Sequence, residues 1–264
     1  MIRTTDYELT GRSAASRSLA KLPGQELTVY VLSDIHYDTI QSTEAVKAYL
    51  KEIDEARPDL LLLVGDLTDE STPRDSMFEL FSEIGSVRTT YGIFSVDGNH
   101  DRQTYAPAGS RSFTSEEYSE AMKANGITLL SDECFESDAF RIIGRKDAST
   151  RSRSAGNLIL TEEQRADPKY TILLDHQPNS GSPEDWADAD LVLCGHTHGG
   201  QIFPAGLLLE LVGYNAGLYR EDGYDVIVSS GVAGWGFHTK TQSRAEGVCI
   251  KIRPAPEDNS ELNG

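Results

Sequence analysis

The sequence predicts an α/β fold in which buried strands are covered by helices, and three observations carry that reading. Five aliphatic-rich runs, Val29–Leu32, Leu60–Val64, Ile93–Val96, Thr171–Leu174 and Leu191–Cys194, lack the polar alternation of half-exposed strands. Runs of that kind belong to strands buried on both faces. Each run ends abruptly at a polar cluster rich in Gly, Asp, Asn and His. Helix signals stand between the runs, the first of them Ser42 and Thr43 as cap candidates with Pro58 as a stop.

Taken in order, Ile2–Leu9 reads as a first edge strand, and the small, polar Ser13–Gly24 stretch as a connector to Val29. Helices are expected over Thr43–Ala56, Arg74–Ile84, Thr114–Asn125 and Glu162–Ala166. Ile202–Tyr219 is apolar and aromatic, and reads either as a helix packed on the core or as a lip that contacts an acyl chain. The tail Pro254–Gly264 is expected to be disordered. With 264 residues and no internal repeat, positions 1–253 read as one domain.

Composition removes several function classes. The net charge of −18, from 24 basic and 42 acidic residues, supplies no attraction for a phosphate backbone, so nucleic-acid binding is not expected. Cys134, Cys194 and Cys249 lie far apart, without disulfide or metal-binding spacing. No run reaches the ~18 apolar residues of a membrane span, and no signal peptide is visible. The chain is therefore expected to be soluble as given, either natively or as the trimmed catalytic piece of a membrane-associated bacterial protein. Neither a Gly-x-Ser-x-Gly elbow nor a Gly-x-x-x-x-Gly-Lys phosphate loop is present.

The strand-end clusters are the informative feature. They read Asp34-Ile35-His36, Gly65-Asp66-Leu67-Thr68-Asp69, Gly98-Asn99-His100-Asp101, Asp175-His176 and Gly195-His196-Thr197-His198. Of the six histidines, His36, His100, His176, His196 and His198 fall in them, and His238 alone does not. In open α/β sheets ligands sit beyond the carboxyl ends of the strands, so clusters placed there converge on one rim. Carboxylates and an Asn carbonyl are hard donors, and neutral imidazoles suit Zn, Mn or Fe. Asp34, His36, Asp66, Asn99, His176, His196 and His198 exceed what one tetrahedral ion can use, whereas two ions sharing a carboxylate would use them all. Gly98-Asn99 is also a hairpin signal, but the flanking runs do not alternate. Gly65, Gly98 and Gly195 are read as turn glycines, and His196 and His198, two apart, would share a face on a strand.

Together these blocks resemble the calcineurin-like metallophosphoesterases. The resemblance covers positions 34 to 198, and Gly195–Gln201 is similar to the bacterial membrane-linked branch, which includes UDP-2,3-diacylglucosamine pyrophosphatases. It implies a four-layer sandwich, two mixed β-sheets flanked by helices. It implies two divalent metal ions, one on Asp34, His36, Asp66 and His198, the other on Asp66, Asn99, His176 and His196, with Asp66 bridging. His100 would face the substrate rather than a metal, and Asp69 and Asp101 would stand behind the ligands and orient them. The chemistry implied is hydrolysis of a phosphate ester or pyrophosphate through attack by a metal-bridging hydroxide.

Arg145, Lys146, Arg151 and Arg153 form a basic cluster in an acidic chain. Arg145, Lys146 and Arg151, with His238, are candidates for contacting a second anionic group of the substrate. A phosphorylated small molecule or lipid is the expected partner, with peripheral membrane contact as a corollary. A cyclic nucleotide or other small phosphodiester is the alternative substrate, and a non-catalytic scaffold is the alternative role.

Overall fold

The computed structural model describes residues 1–155, 159–180, 183–236 and 239–256. His238 and most of the expected disordered tail, 257–264, lie outside the described residues. Six strands form the first sheet: β1 (Arg3–Thr10), β2 (Leu27–Leu32), β3 (Leu60–Val64), β4 (Gly92–Val96), β5 (Ile127–Leu129) and β12 (Glu246–Arg253), in the order β1-β12-β2-β3-β4-β5. Six more form the second: β6 (Glu133–Glu136), β7 (Phe140–Gly144), β8 (Tyr170–Leu174), β9 (Leu191–Cys194), β10 (Gly217–Arg220) and β11 (Asp225–Val228), in the order β10-β11-β9-β8-β7-β6.

Both sheets are mixed. The inner strands β2-β3-β4-β5 and β7-β8-β9-β11 run parallel to their neighbours, while antiparallel pairs join β12 to β2, β6 to β7 and β10 to β11. The parallel cores place the carboxyl ends of β2, β3, β4, β8 and β9 toward one edge of the sandwich. Leu60–Val64 and Tyr170–Leu174 are buried at every position, because each contributes to two cores. Val29, Leu62, Ile142, Ile172 and Leu193 meet between the sheets. On the outer face of the first sheet, Leu61 and Leu63 pack against α1 (Thr43–Ala56), α2 (Arg74–Gly85) and α3 (Ser115–Ala124) through Tyr49, Ile53, Phe81 and Tyr118. Val192, Val226 and Val228 pack outward from the second sheet against Trp186 and Leu160. The result is two mixed six-stranded sheets flanked by helices, the α/β sandwich the resemblance implied.

Local signals explain the helix limits. Ser42 accepts from the Ala45 amide, and α1 ends at Arg57, which takes a left-handed conformation before Pro58. Thr114 and Glu117 form a capping box on α3, and Thr161 and Gln164 form one on α4 (Glu162–Ala166). The connector is more than a spacer. Its 3-10 turn Ala14–Lys21 buries Leu19 between the sheets, and Ser18 donates to Ala139 while accepting from the Tyr170 amide. Ile202–Tyr219 does not pack as a core helix: α5 (Ala205–Val212) leaves Leu207, Leu208 and Leu211 exposed, Leu211 by 81%. Among the described residues no helix is long and apolar enough to cross a membrane.

Candidate metal centre

Every strand-end cluster reaches the same place. Asp34, His36 and His198 bring one ligand atom each to within 4.8 Å of one another, and Asp66, His176 and His196 do the same beside them. Asp66 stands between the two sets: its Oδ2 lies 3.0 Å from His176 Nε2 and 3.9 Å from His36 Nε2. The rings of His36 and His198 stack at 5.4 Å, and those of His176 and His196 meet edge-on at 5.2 Å.

The backbone is bent to achieve this. Asp34, His36, Asp66, His196 and His198 all have φ between 42° and 69°, a region non-glycine residues enter at a cost of about 1–3 kcal/mol each. Surrounding hydrogen bonds impose it: the Asp34 amide donates to the Gly65 carbonyl, and the His36 amide to Asp66. Past the end of β9, His196 and His198 turn to opposite ligand sets instead of sharing a face. Gly65 does have the left-handed φ of a turn glycine, at 77°. At Gly98 and Gly195 the reason is space, since a Cβ would come within 2.2 Å of Asp66 Oδ1 and 2.5 Å of Asp34 Oδ2. No hairpin forms at Gly98-Asn99, because β4 pairs parallel with its neighbours.

The polar groups separate into those that are satisfied and those that are not. His176 Nδ1 donates to the Val64 carbonyl at 2.8 Å, and His198 Nδ1 to that of Ala233 at 3.2 Å, which leaves each Nε2 lone pair facing the centre. Asp101 accepts the amides of Asp66, Leu67, Thr68 and Gly98, and so fixes the Asp66 and Asn99 turns together. Asp69 sits 3.4 Å from His36 Nδ1. Both ring nitrogens of His36, with His176 Nε2 and Asn99 Oδ1, are buried without a hydrogen-bond partner among the described residues. Buried polar atoms are rarely left so, and three lone pairs aimed at one space fit cations.

Electrostatics agrees with that fit. Burial lowers His196, with His176 adding to the effect, and burial brings His198 down to about 4, so both imidazoles are neutral at pH 7. Burial also opposes charging of His36 and His176, but carboxylates outweigh it and raise both, Asp69 foremost for His36 and Asp66 for His176. Burial together with the charges of Asp66 and Asp97 pushes Asp101 up to about 6.

His100 lies at the mouth and is not a member of either ligand set. Its amide donates to Asp66 Oδ1 at 2.9 Å, and its Nδ1 is 2.7 Å from Glu70 Oε2. Tyr105 and Trp235, both largely exposed, approach the His100 ring at 5.2 and 5.4 Å. Sequence reasoning assigned none of these three, Glu70, Tyr105 and Trp235, to the site. Glu70 follows Asp69 directly and was the one signal available, whereas Tyr105 and Trp235 reach His100 only through folded loops.

The basic cluster is placed differently from its reading. Arg145 is 1% exposed and donates to the Ser154 carbonyl and to Asp185. It cannot present a free guanidinium to substrate, because the turn that follows β7 buries it beside Asp132. Lys146 pairs with Asp132, and Arg153 forks onto buried Asp175. Arg151 is exposed.

Two ligand sets thus stand side by side on strand ends between the sheets, with the buried Asp66 carboxylate facing His176 of one and His36 of the other. The chain belongs to the calcineurin-like phosphoesterase family, which matches residues 27–200. It is 31% identical over 235 residues to an uncharacterized metallophosphoesterase of Helicobacter pylori J99, covering 87% of this chain and 60% of that protein. It is 28% identical to a Danio rerio transmembrane protein with metallophosphoesterase domain, with 87% and 54% covered. Against phosphodiesterase YaeI of Escherichia coli it is 30% identical, with 66% and 61% covered. The chain thus spans about 60% of the length of the first of these curated relatives. Its fold is similar to that of TT1561 of Thermus thermophilus, with a TM-score of 0.51 at 13% identity, covering 78% of this chain and 91% of that one.

Proposed function

We propose that the chain hydrolyses a phosphate ester or pyrophosphate at a centre holding two divalent cations, on an amphiphilic, lipid-linked substrate. The observation that carries the reading is Asp66, whose buried carboxylate faces both ligand sets while its turn is held by Asp101. Asp34, His36 and His198 would hold one ion, and His176, His196 and Asn99 the other, with Asp66 common to both. Bound there, the ions would bind phosphate oxygens, activate water and offset the charge that develops on phosphorus. The residues of the chain do the rest. Asp69 and the Val64 and Ala233 carbonyls keep the imidazoles oriented, and Glu70 orients His100 toward the mouth. His100 would donate to the transferred phosphoryl group and protonate the leaving oxygen.

The lipid part rests on the exposed apolar residues Phe203, Leu207, Leu208 and Leu211. They follow Gln201, whose side-chain amide bonds both the N–H and the carbonyl of Trp235, beside His100. An acyl chain lying along that lip would leave its phosphate at the mouth. The name of the Danio rerio relative, a transmembrane protein, is consistent with work at a membrane surface. A small phosphodiester is the second reading, favoured by the name of the YaeI relative.

Purified protein with Mn²⁺ should cleave para-nitrophenyl phosphate or its bis ester, and Asp66→Ala should abolish turnover. Cleavage that survives both Asp66→Ala and chelation would refute the two-cation assignment. For the substrate, long-chain and short-chain phosphate esters are compared in the wild type and in Leu208→Ser/Leu211→Ser. A kcat/KM indifferent to chain length in both would remove the lipid reading.

A further inference from the structure

A second polar cavity lies on the other side of the wall that closes the metal centre. The segment Ser230–Gly234 forms this wall. Its inner side holds the ligands: the Val232 amide donates to Ser33, the Ala233 amide to the Asp34 carbonyl, and the Ala233 carbonyl accepts from His198. Gly231 passes so close that a Cβ there would stand 2.7 Å from Asp34 Cβ. Its outer side, at Ala233 and Gly234, lines a cavity of about 350 Å³ that Arg3, Gln41, Lys240, Ser243 and Arg244 complete.

The charge of this cavity is opposite to that of the chain. Net charge is −18, yet the cavity lining contains three cations and no carboxylate. Among the described residues no carboxylate lies within ion-pair distance of Arg3, Lys240 or Arg244. The nearest acid in sequence, Glu246, is engaged by the Thr5 hydroxyl and the Ser230 amide. Lys240 is held in place by the Ser230 and Gly231 carbonyls, and so is not a freely swinging surface ammonium. Cations gathered in a concave site repel one another and attract an oxyanion, which guanidinium groups bind bidentately.

We infer that the cavity of Arg3, Lys240 and Arg244 is a second oxyanion site that takes a phosphate group beside the metal centre. Two sources share that chemistry. One is a second phosphate on the substrate, a reading that rests on the proposed hydrolysis; Gly234 lines the cavity and its neighbour Trp235 faces His100, so one molecule crossing this segment would touch both sites. The other is free inorganic phosphate.

The test uses the metal-loaded full chain and the double variant Arg3→Gln/Arg244→Gln, with circular dichroism to show that the fold is kept. Calorimetric titration with inorganic phosphate is expected to show one phosphate per chain fewer in the variant, or a site weakened about tenfold. Superimposable isotherms for the two proteins overturn the inference. Because calorimetry needs no turnover, this outcome is independent of whether the chain is a hydrolase. Kinetics then separates the sources. If substrate supplies the anion, KM for butane-1,4-diol bisphosphate rises about tenfold in the variant with kcat kept, while KM for butyl phosphate stays within twofold. An unchanged bisphosphate KM beside a lost calorimetric site marks the occupant as free phosphate.

Discussion

The clusters of buried charge around Asp175 and around Asp66 are built on opposite principles. Around Asp175 the charges are matched: Arg153 forks onto the carboxylate and the Trp186 indole donates to it at 3.1 Å, while Arg145 is enclosed by Asp132, Asp185 and the Ser154 carbonyl. Around Asp66 the acids and imidazoles are gathered facing inward, and His36 Nδ1 and Nε2, His176 Nε2 and Asn99 Oδ1 are buried without a hydrogen-bond partner among the described residues, against Arg145 Nε in the first cluster. Backbone strain is concentrated in the second cluster, where five ligand residues hold positive φ, against Asp132 alone of the residues named in the first. Buried charge as such is therefore no mark of a site. The mark is buried charge left unneutralised at a cost, because only a bound cation makes such an arrangement favourable.

Mutations can break that contrast. The largest effect is expected from Asp66→Asn, which should lower turnover by a factor of at least about 10³, since both ions lose a shared ligand. Metal analysis of the purified variant should find less than the wild-type content, and full content with full activity would refute the shared role. His100→Ala should cost about 10²–10⁴ in kcat with metal content kept, as for a positioned proton donor. Loss of metal along with activity would place His100 among the ligands instead.

On the matched cluster, Arg153→Ala should cost about 3–5 kcal/mol in urea denaturation, because Asp175 is left as a buried charge without its partner. Metal affinity should stay unchanged in that variant. A smaller effect, roughly tenfold in kcat, is expected from Glu70→Gln through the orientation of His100. The loss should fall on kcat with KM and metal content kept, and an unchanged kcat would make Glu70 merely structural.

Metal loading itself should depend on pH with a defined sign. Neighbouring carboxylates raise His36 and His176 above an ordinary imidazole, so both hold a proton to higher pH in the metal-free protein, and that proton must leave before either ring can ligate. His196 and His198 are lowered and already neutral. Binding at pH 7 should thus release protons, and affinity should rise with pH. Calorimetry in buffers of different ionisation enthalpy measures the release. Chelation should lower the thermal midpoint, by the equivalent of about 2.7 kcal/mol if the metal had stood at a hundredfold its Kd.

Much of this was legible in the residues themselves. Runs such as Leu60–Val64 announced double-faced burial, and the pattern of Asp, Asn and His after each run announced where the ligands would gather. The helices were legible because caps are local: Ser42, Thr114 and Thr161 each bond an amide three residues away. Strands β5, β6, β7, β10, β11 and β12 were not read. β12 joins residues 246–253 to β1 and β2 at the far end of the chain, and pairings over such separations leave no trace in a window of sequence. Arg145 was misread for a related reason, as a loop cation and a buried one look alike until the fold buries one.

By itself, then, the sequence determined the identity of the metal-seeking groups and their places at strand ends, since strand burial and ligand chemistry are properties of short segments. The tertiary structure alone decided how closely the two ligand groups approach, which glycines make room for a carboxylate, and that Glu70, Tyr105 and Trp235 surround His100. Those outcomes depend on ångström-scale approaches between segments that only the packing of two sheets brings together.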